Sequence, residues 1–207
     1  MNKQRIINIV RLFAGLVAAT AIIVQLQHSM ATGRDLGNFF SFFTIESNIA
    51  AALLYIGAGI YGVVNPNARP LSTLRGAITL YMTLTGIVYM LLLSGNEIAL
   101  QTTIGWVNII LHYIFPAIIL LDWLVFPPKE YLQAKRVVLW FIFPTLYLVY
   151  SLIRGAMTGW YPYPFINPVT NGWPTVVVMI IFITFITAVI ATALSLRTRQ
   201  YRPKVSM

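Results

Sequence analysis

The chain has 207 residues, of which 58% are hydrophobic and only 9% charged. Soluble domains carry about 25% charged residues, so a water-soluble globular protein is excluded and an all-α integral membrane protein is expected. The net charge of +9 would suggest nucleic acid in a soluble protein, but here the cations gather in short loops and tails, and no nucleic-acid partner is expected. Cysteine is absent, which excludes disulfides and thiol catalysis. Only His28 and His112 remain as imidazoles, too few for a dedicated zinc or haem site, so neither a metal nor a cofactor is expected.

At about 20 residues per span, the apolar runs divide the chain into six predicted helices within a single transmembrane domain covering residues 1–207. The first, 6–27, follows a basic start and is longer than a signal-peptide core, with Arg11 able to snorkel to the interface. The second, 39–64, opens with "FFSFFTIESN". The third and fourth are 74–93 and 103–126, and the last two are 137–157 and 174–196. Turn chemistry separates them: "TGRDLGN", "NPNARP", "SGNE", "FPPKE" and "YPYPFINPVTNGWP". Oligomeric state is not legible.

Charge sets the expected orientation. Lys3, Arg5, Arg11, Arg69, Arg75, Lys129, Lys135, Arg136, Arg197, Arg199, Arg202 and Lys204 fall on one side, against Arg34 and Arg154 on the other. The excess places both termini in the cytoplasm. Trp106, Trp160, Tyr161, Tyr163 and Trp173 then form an outer aromatic belt, and Trp123 and Trp140 mark the inner interface. Asp122 is expected at the inner end of the fourth span near Lys129, and His28 in an exposed loop.

Polar residues recur at similar depth on three spans. Thr44 and Asn48 share a face of the second by i,i+4 spacing, as do Asn108 and His112 on the fourth; Tyr147, Tyr150, Ser151 and Arg154 rise along one face of the fifth. Ionisable residues within a span are costly and normally pair inside the bundle, so Glu46 and Arg154 are expected to bond or share a network. A Thr hydroxyl beside a neutral His is the minimal nucleophile–base pair for acyl transfer. The bland alternatives are equally concrete: a membrane Thr ordinarily bonds its own i−4 carbonyl, and Asn side chains serve as interhelical glue.

Three segments, "FFTIESN", "WVNIILHYIFPAIILLDW" and "RGAMTGWYPYPFINP", together resemble the FAR-17a and androgen-induced-gene family, most closely its small bacterial six-helix branch. Animal members are intramembrane hydrolases that cleave fatty acid esters of hydroxy fatty acids with one Thr and one His. The resemblance maps the nucleophile to Thr44 and the base to His112, with Asn108 and Asp122 at the family spacing. The family Tyr-Pro corresponds to Tyr161-Pro162 or Tyr163-Pro164. This chain has Ile109 where animal members carry a further His, and Pro116 lies one residue nearer the His.

The resulting expectation is a hydrolase of lipophilic esters in a bacterial inner or plasma membrane, with a lipid or fatty-acyl ester as its partner. Thr44 attacks, His112 acts as base, and Asn48 or Asn108 stabilises the oxyanion. Arg154 and Tyr150 contact substrate, with Glu46 and Ser41 in support; Glu46 or Tyr150 orients His112. Trp160–Pro168 caps the pocket. The alternatives are a non-catalytic lipid- or small-molecule-binding protein, a transporter subunit, or a structural protein whose polar residues are glue.

Overall fold

Long apolar runs, which in a membrane must satisfy their backbone groups internally, produce helices throughout, and the computed structural model, which describes residues 3–65, 71–95 and 103–201, contains no strand among them. Six helices are long and apolar enough to cross a membrane. We label them with one short helix between the first two. Helix α1 is Lys3–Ala31, α2 is the short Leu36–Phe40, and α3 is Phe43–Val64; α4 is Ser72–Leu93, α5 is Gly105–Val125, α6 is Ala134–Thr158, and α7 is Pro168–Leu196. Three of the cations counted for orientation, Arg69, Arg202 and Lys204, lie outside the described residues.

The second predicted span is shorter than expected. Phe39 and Phe40 end α2, Ser41 closes it, and Phe42 is extended at φ −83°, ψ 127°, so α3 starts afresh at Phe43. The break is held by side chains from α6. Ser41 Oγ donates to Gly37 O at 2.6 Å and lies 2.8 Å from Tyr150 Oη, while Tyr147 Oη donates to Ser41 O at 2.8 Å. Helix α7 begins earlier than 174, but Gly172 at φ +73° interrupts it; only glycine adopts that conformation cheaply, and the straight run starts beyond it.

Helix α4 is the central column, with 72% of its most apolar window buried, against 11% for α6 and 22% for α7. It packs on α3, α5, α6 and α7. Helices α1 and α3 make the closest pair, through Ala14, Ala18, Ala21, Ala51 and Ala52, all buried. Small residues let apolar helices approach where no hydrophobic drive exists between them. Outward-facing Leu53, Ile60, Leu146, Ile153, Ile181 and Phe185 are exposed, a surface suited to hydrocarbon rather than water.

Two expectations about this framework are corrected. Trp123 and Trp140 do not face an interface; both are fully buried, packed edge to face at 6.1 Å, with Trp123 Nε1 donating to Leu194 O at 3.1 Å. Asp122 and Arg11 are likewise turned into the bundle rather than left at its surface. Asp122 accepts a fork from Arg11 (Nη2 to Oδ1 2.9 Å, Nε to Oδ2 3.1 Å), a bond from Arg75 Nη2 at 2.9 Å and one from Tyr55 Oη at 2.9 Å. A buried carboxylate is tolerable only when paired and hydrogen-bonded, and this one joins α1, α3, α4 and α5.

Candidate functional site

The start of α3 creates the site. A helix opens with N–H groups that have no intrahelical partner, and Phe42, as N-cap, supplies no side-chain acceptor. In an apolar surround each unpaired group is costly. Two tyrosines meet the need: Phe43 N–H donates to Tyr147 Oη at 3.1 Å and Thr44 N–H to Tyr163 Oη at 3.3 Å. Tyr163 was expected in an aromatic belt, yet it is 7% exposed and reaches inward from the turn after α6. Burial pushes its phenol up, partly offset by hydrogen bonding with the Thr44 side chain and backbone, so the hydroxyl keeps its proton.

The threonines of the helices divide in two, and Thr44 belongs with Thr85, Thr145 and Thr184, for which no i−4 bond is found among the described residues. Thr79, Thr83 and Thr187 return their hydroxyls to the i−4 carbonyl at 2.7–2.8 Å, the ordinary fate of a membrane Thr. Thr44, in the first turn of α3, makes no such bond. Instead it lines two cavities. One, of about 140 Å³, is walled mostly by apolar residues of α3, α4, α6 and α7, including Leu84, Val88, Leu148 and Ile183, with Thr85, Thr145, Thr184 and Thr187 also on its wall. That is close to the roughly 150 Å³ of apolar cavities that stay dry and take benzene. The other, of about 30 Å³, is lined by Gln25, Asn108, His112 and Thr44 among others, and has room for about two waters. Thr44, Tyr163 and Leu93 belong to both walls.

His112 is 3% exposed and sits in a π-helical turn, Ile110–Ile114, where the i→i−4 ladder is interrupted. The carbonyl of Asn108 faces the His112 ring, and Nδ1 lies 3.2 Å from it. A carbonyl only accepts, so Nδ1 carries the proton and Nε2 is the basic nitrogen. Tyr89 stacks on the imidazole at 3.9 Å and 26°, and its hydroxyl accepts from Asn108 Nδ2 at 2.6 Å. Tyr89 itself opens a second π turn, Tyr89–Leu93, in α4. Such turns often accompany functional sites because they re-aim side chains out of register.

The remaining expected residues divide sharply. Thr44, Asn108 and His112 share one cavity wall. Asn48 is adjacent, but its Nδ2 donates to Thr44 O at 2.8 Å and Leu111 O at 3.2 Å. Asn48 thus has both amide hydrogens on carbonyls and presents no donor to an oxyanion, whereas Asn108 has one of its two on Tyr89; the buried Oδ1 atoms of both are unpaired. Arg154 does not meet Glu46. Its Nη2 donates to Asn38 Oδ1 at 2.7 Å, approaches Asp35 at 3.9 Å, and its guanidinium stacks over Trp160 at 4.8 Å. Glu46 is half-buried and forms no ion pair among the described residues. Tyr150 is 44% exposed and bound to Ser41, so both brace the break before α3. Neither Glu46 nor Tyr150 orients His112; the Asn108 carbonyl and the Tyr89 ring do.

His28 is half-buried, with Nε2 3.2 Å from Thr103 Oγ1. Sequence reasoning missed Gln25, Tyr89 and the inward reach of Tyr163. The alternative Tyr161 packs against Gly155. Among the described residues no group of three or more His, Asp or Glu could hold a metal. No family model, curated protein or solved structure matches the chain.

Proposed function

We propose that the protein is a multi-pass membrane hydrolase of lipophilic esters, with both termini cytoplasmic, in which Thr44 is the nucleophile and His112 the general base. The observation that carries the reading is the position of Thr44. Thr44 lies in the wall between a mainly apolar chamber and a small pocket in which Gln25, Asn108 and His112 are set among apolar side chains. The chamber suits an acyl chain, and the pocket suits water.

In the first step the Thr44 Oγ1–H proton passes to His112 Nε2 as Oγ1 bonds to the carbonyl carbon, and the carbonyl π pair moves to oxygen. Collapse of that intermediate breaks the bond to the alkoxy oxygen, which takes the proton from His112 and leaves as the alcohol. Water then repeats the sequence on the Thr44 ester, releasing the acid and restoring both residues. The Asn108 carbonyl stabilises the imidazolium through Nδ1–H. The motif resemblance to fatty-ester hydrolases points the same way, and no metal or cofactor is required by this chemistry.

A purely structural role for the polar residues would predict a closed Glu46–Arg154 pair and no cavity at Thr44; neither is found. The test is turnover of long-chain esters and labelling by a fluorophosphonate, comparing wild type, Thr44→Ala and His112→Ala. We expect Thr44→Ala to abolish labelling and His112→Ala to slow turnover by roughly 10²–10⁴. Labelling and turnover that persist in both variants would rule out the mechanism. Wild type that binds a fatty acyl ligand but turns over nothing would favour the lipid-binding reading.

A further inference from the structure

If Thr44 forms a tetrahedral intermediate, something must hold its oxyanion. Asn48, one of the two amides expected to do so, has both hydrogens on carbonyls, and Asn108 has one of its two on Tyr89. We propose that the oxyanion hole is the backbone N–H of Thr44 together with the hydroxyl of Tyr163, which makes Tyr163 a catalytic residue. This inference rests on the ester-hydrolase reading.

The two capping tyrosines are not equivalent. Tyr147 accepts from Phe43 N–H and spends its own proton on Ser41 O at 2.8 Å. Tyr163 accepts from Thr44 N–H, and its other hydrogen-bonding neighbours are the Thr44 and Tyr147 hydroxyls, so its proton is not spent on a carbonyl among the described residues. It is a donor in waiting, on the wall shared by the apolar chamber and the His112 pocket. A merely structural cap would not need to border both.

Position favours the assignment as well. Thr44 N and Tyr163 Oη are 3.3 Å apart, so once the Tyr163 hydroxyl shifts off the N–H axis an oxygen can lie about 3 Å from each, within reach of both donors. The N–H belongs to the nucleophile itself, so the oxygen it receives is attached to the carbon that Oγ1 attacks. Both donors act at the first turn of a 22-residue helix, whose dipole places positive potential there. When the carbonyl π pair shifts to oxygen, the N–H exchanges its contact with Tyr163 Oη for one with the oxyanion, and Tyr163 O–H turns to donate. No atom is transferred from either; both return to their resting bond when the intermediate collapses.

The experiment compares wild type, Thr44→Ala, Tyr163→Phe and Tyr147→Phe, reading kcat and KM on a long-chain p-nitrophenyl ester, the rate of fluorophosphonate labelling, and the thermal midpoint. Losing one oxyanion donor costs roughly 10²–10³ in kcat, so Tyr163→Phe should lose that much in kcat and in labelling rate, with KM little changed. Tyr147→Phe, which removes the neighbouring cap, gives the size of the loss from capping alone. A Tyr163→Phe protein that turns over within about threefold of wild type, or whose loss matches that of Tyr147→Phe and follows the thermal midpoint, would overturn the assignment. Should Tyr163→Phe fail to fold, fluorotyrosine at position 163 retains the hydroxyl and makes it a stronger donor; kcat should shift with phenol acidity, and a flat response would overturn the proposal. Inactive Thr44→Ala beside fully active Tyr163→Phe removes only the oxyanion assignment. Equal activity in wild type and Thr44→Ala removes the hydrolase reading and this inference with it.

Discussion

The Tyr89–His112 stack sets how the imidazole is presented. Two π turns, one in α4 and one in α5, bring these rings to 3.9 Å, and Asn108 ties them together through its carbonyl on the ring and its amide on the phenol. A base misplaced by about 1 Å can cost a hundredfold in rate. Tyr89→Leu, which removes both stack and hydrogen bond, should therefore lower kcat by up to about a hundredfold while fluorophosphonate still reacts at Thr44. Tyr89→Phe keeps the stack and should lose about tenfold or less. Equal kcat in both variants and wild type would show that the ring is set by the backbone turn alone. That Thr44 and His112 border one pocket was suggested by two i,i+4 polar pairs. Tyr89 was not, because a single Tyr in an apolar run gives no period, and the π turn that re-aims it depends on packing.

Among the elements, α1 and α3 carry the tightest backbone approach. A Cβ at Gly59 would lie 2.7 Å from Leu12 Cβ and 2.9 Å from Leu12 N and Cα, so the obstacle includes backbone that cannot rotate away. Gly59→Val should force the two helices apart, at an overpacking cost of about 1–3 kcal/mol, seen as a lower thermal midpoint in detergent. A substitution at Gly57, where an added Cβ meets nothing within 4 Å, is the matched control. Because α1 also contributes Gln25 to the pocket, the Gly59 variant should lose activity at temperatures where it still elutes as a folded species. The position and number of long helices were legible from hydropathy alone. The break at Ser41–Phe42 was not, since "FFSFFT" reads as continuous apolar chain; the break exists because Tyr147 and Tyr150 on α6 offer bonds that a continuous helix would not need.

Across the whole molecule, the buried Arg11–Asp122–Arg75–Tyr55 cluster lies ten residues along α5 from His112, roughly 15 Å at 1.5 Å per residue. It binds four helices at the end away from the site, and its three charged side chains are at most 13% exposed. Removing the carboxylate leaves two arginines buried without their partner, a loss of about 3–5 kcal/mol. Asp122→Asn should therefore unfold much earlier in a denaturant titration. Glu130→Gln, which breaks the exposed pair with Arg136 at 3.1 Å, should cost about 1 kcal/mol or less. Orientation has a direct test, since the chain has no cysteine. Lys129→Cys should react with an impermeant maleimide only after lysis, and Thr32→Cys in intact cells; the reverse pattern would invert the topology. Of the twelve cations that argue for cytoplasmic termini, Arg11 and Arg75 turn out to be internal partners rather than loop charges.

Composition and hydropathy by themselves determined the all-helical architecture, the six long apolar helices and the shared depth of Thr44, Asn108 and His112. Those properties follow from local periodicity and from the cost of exposing apolar residues to water. Tertiary structure decided which polar groups meet. It sent Arg154 to Asn38 rather than Glu46, tied the Asn48 amide to the Thr44 and Leu111 carbonyls and the Asn108 amide to Tyr89, and brought Tyr163 from beyond α6 to the first turn of α3. The reason is physical: a buried donor takes whichever acceptor packing brings within about 3 Å, and that choice rests on helix breaks and π turns that hydropathy does not record.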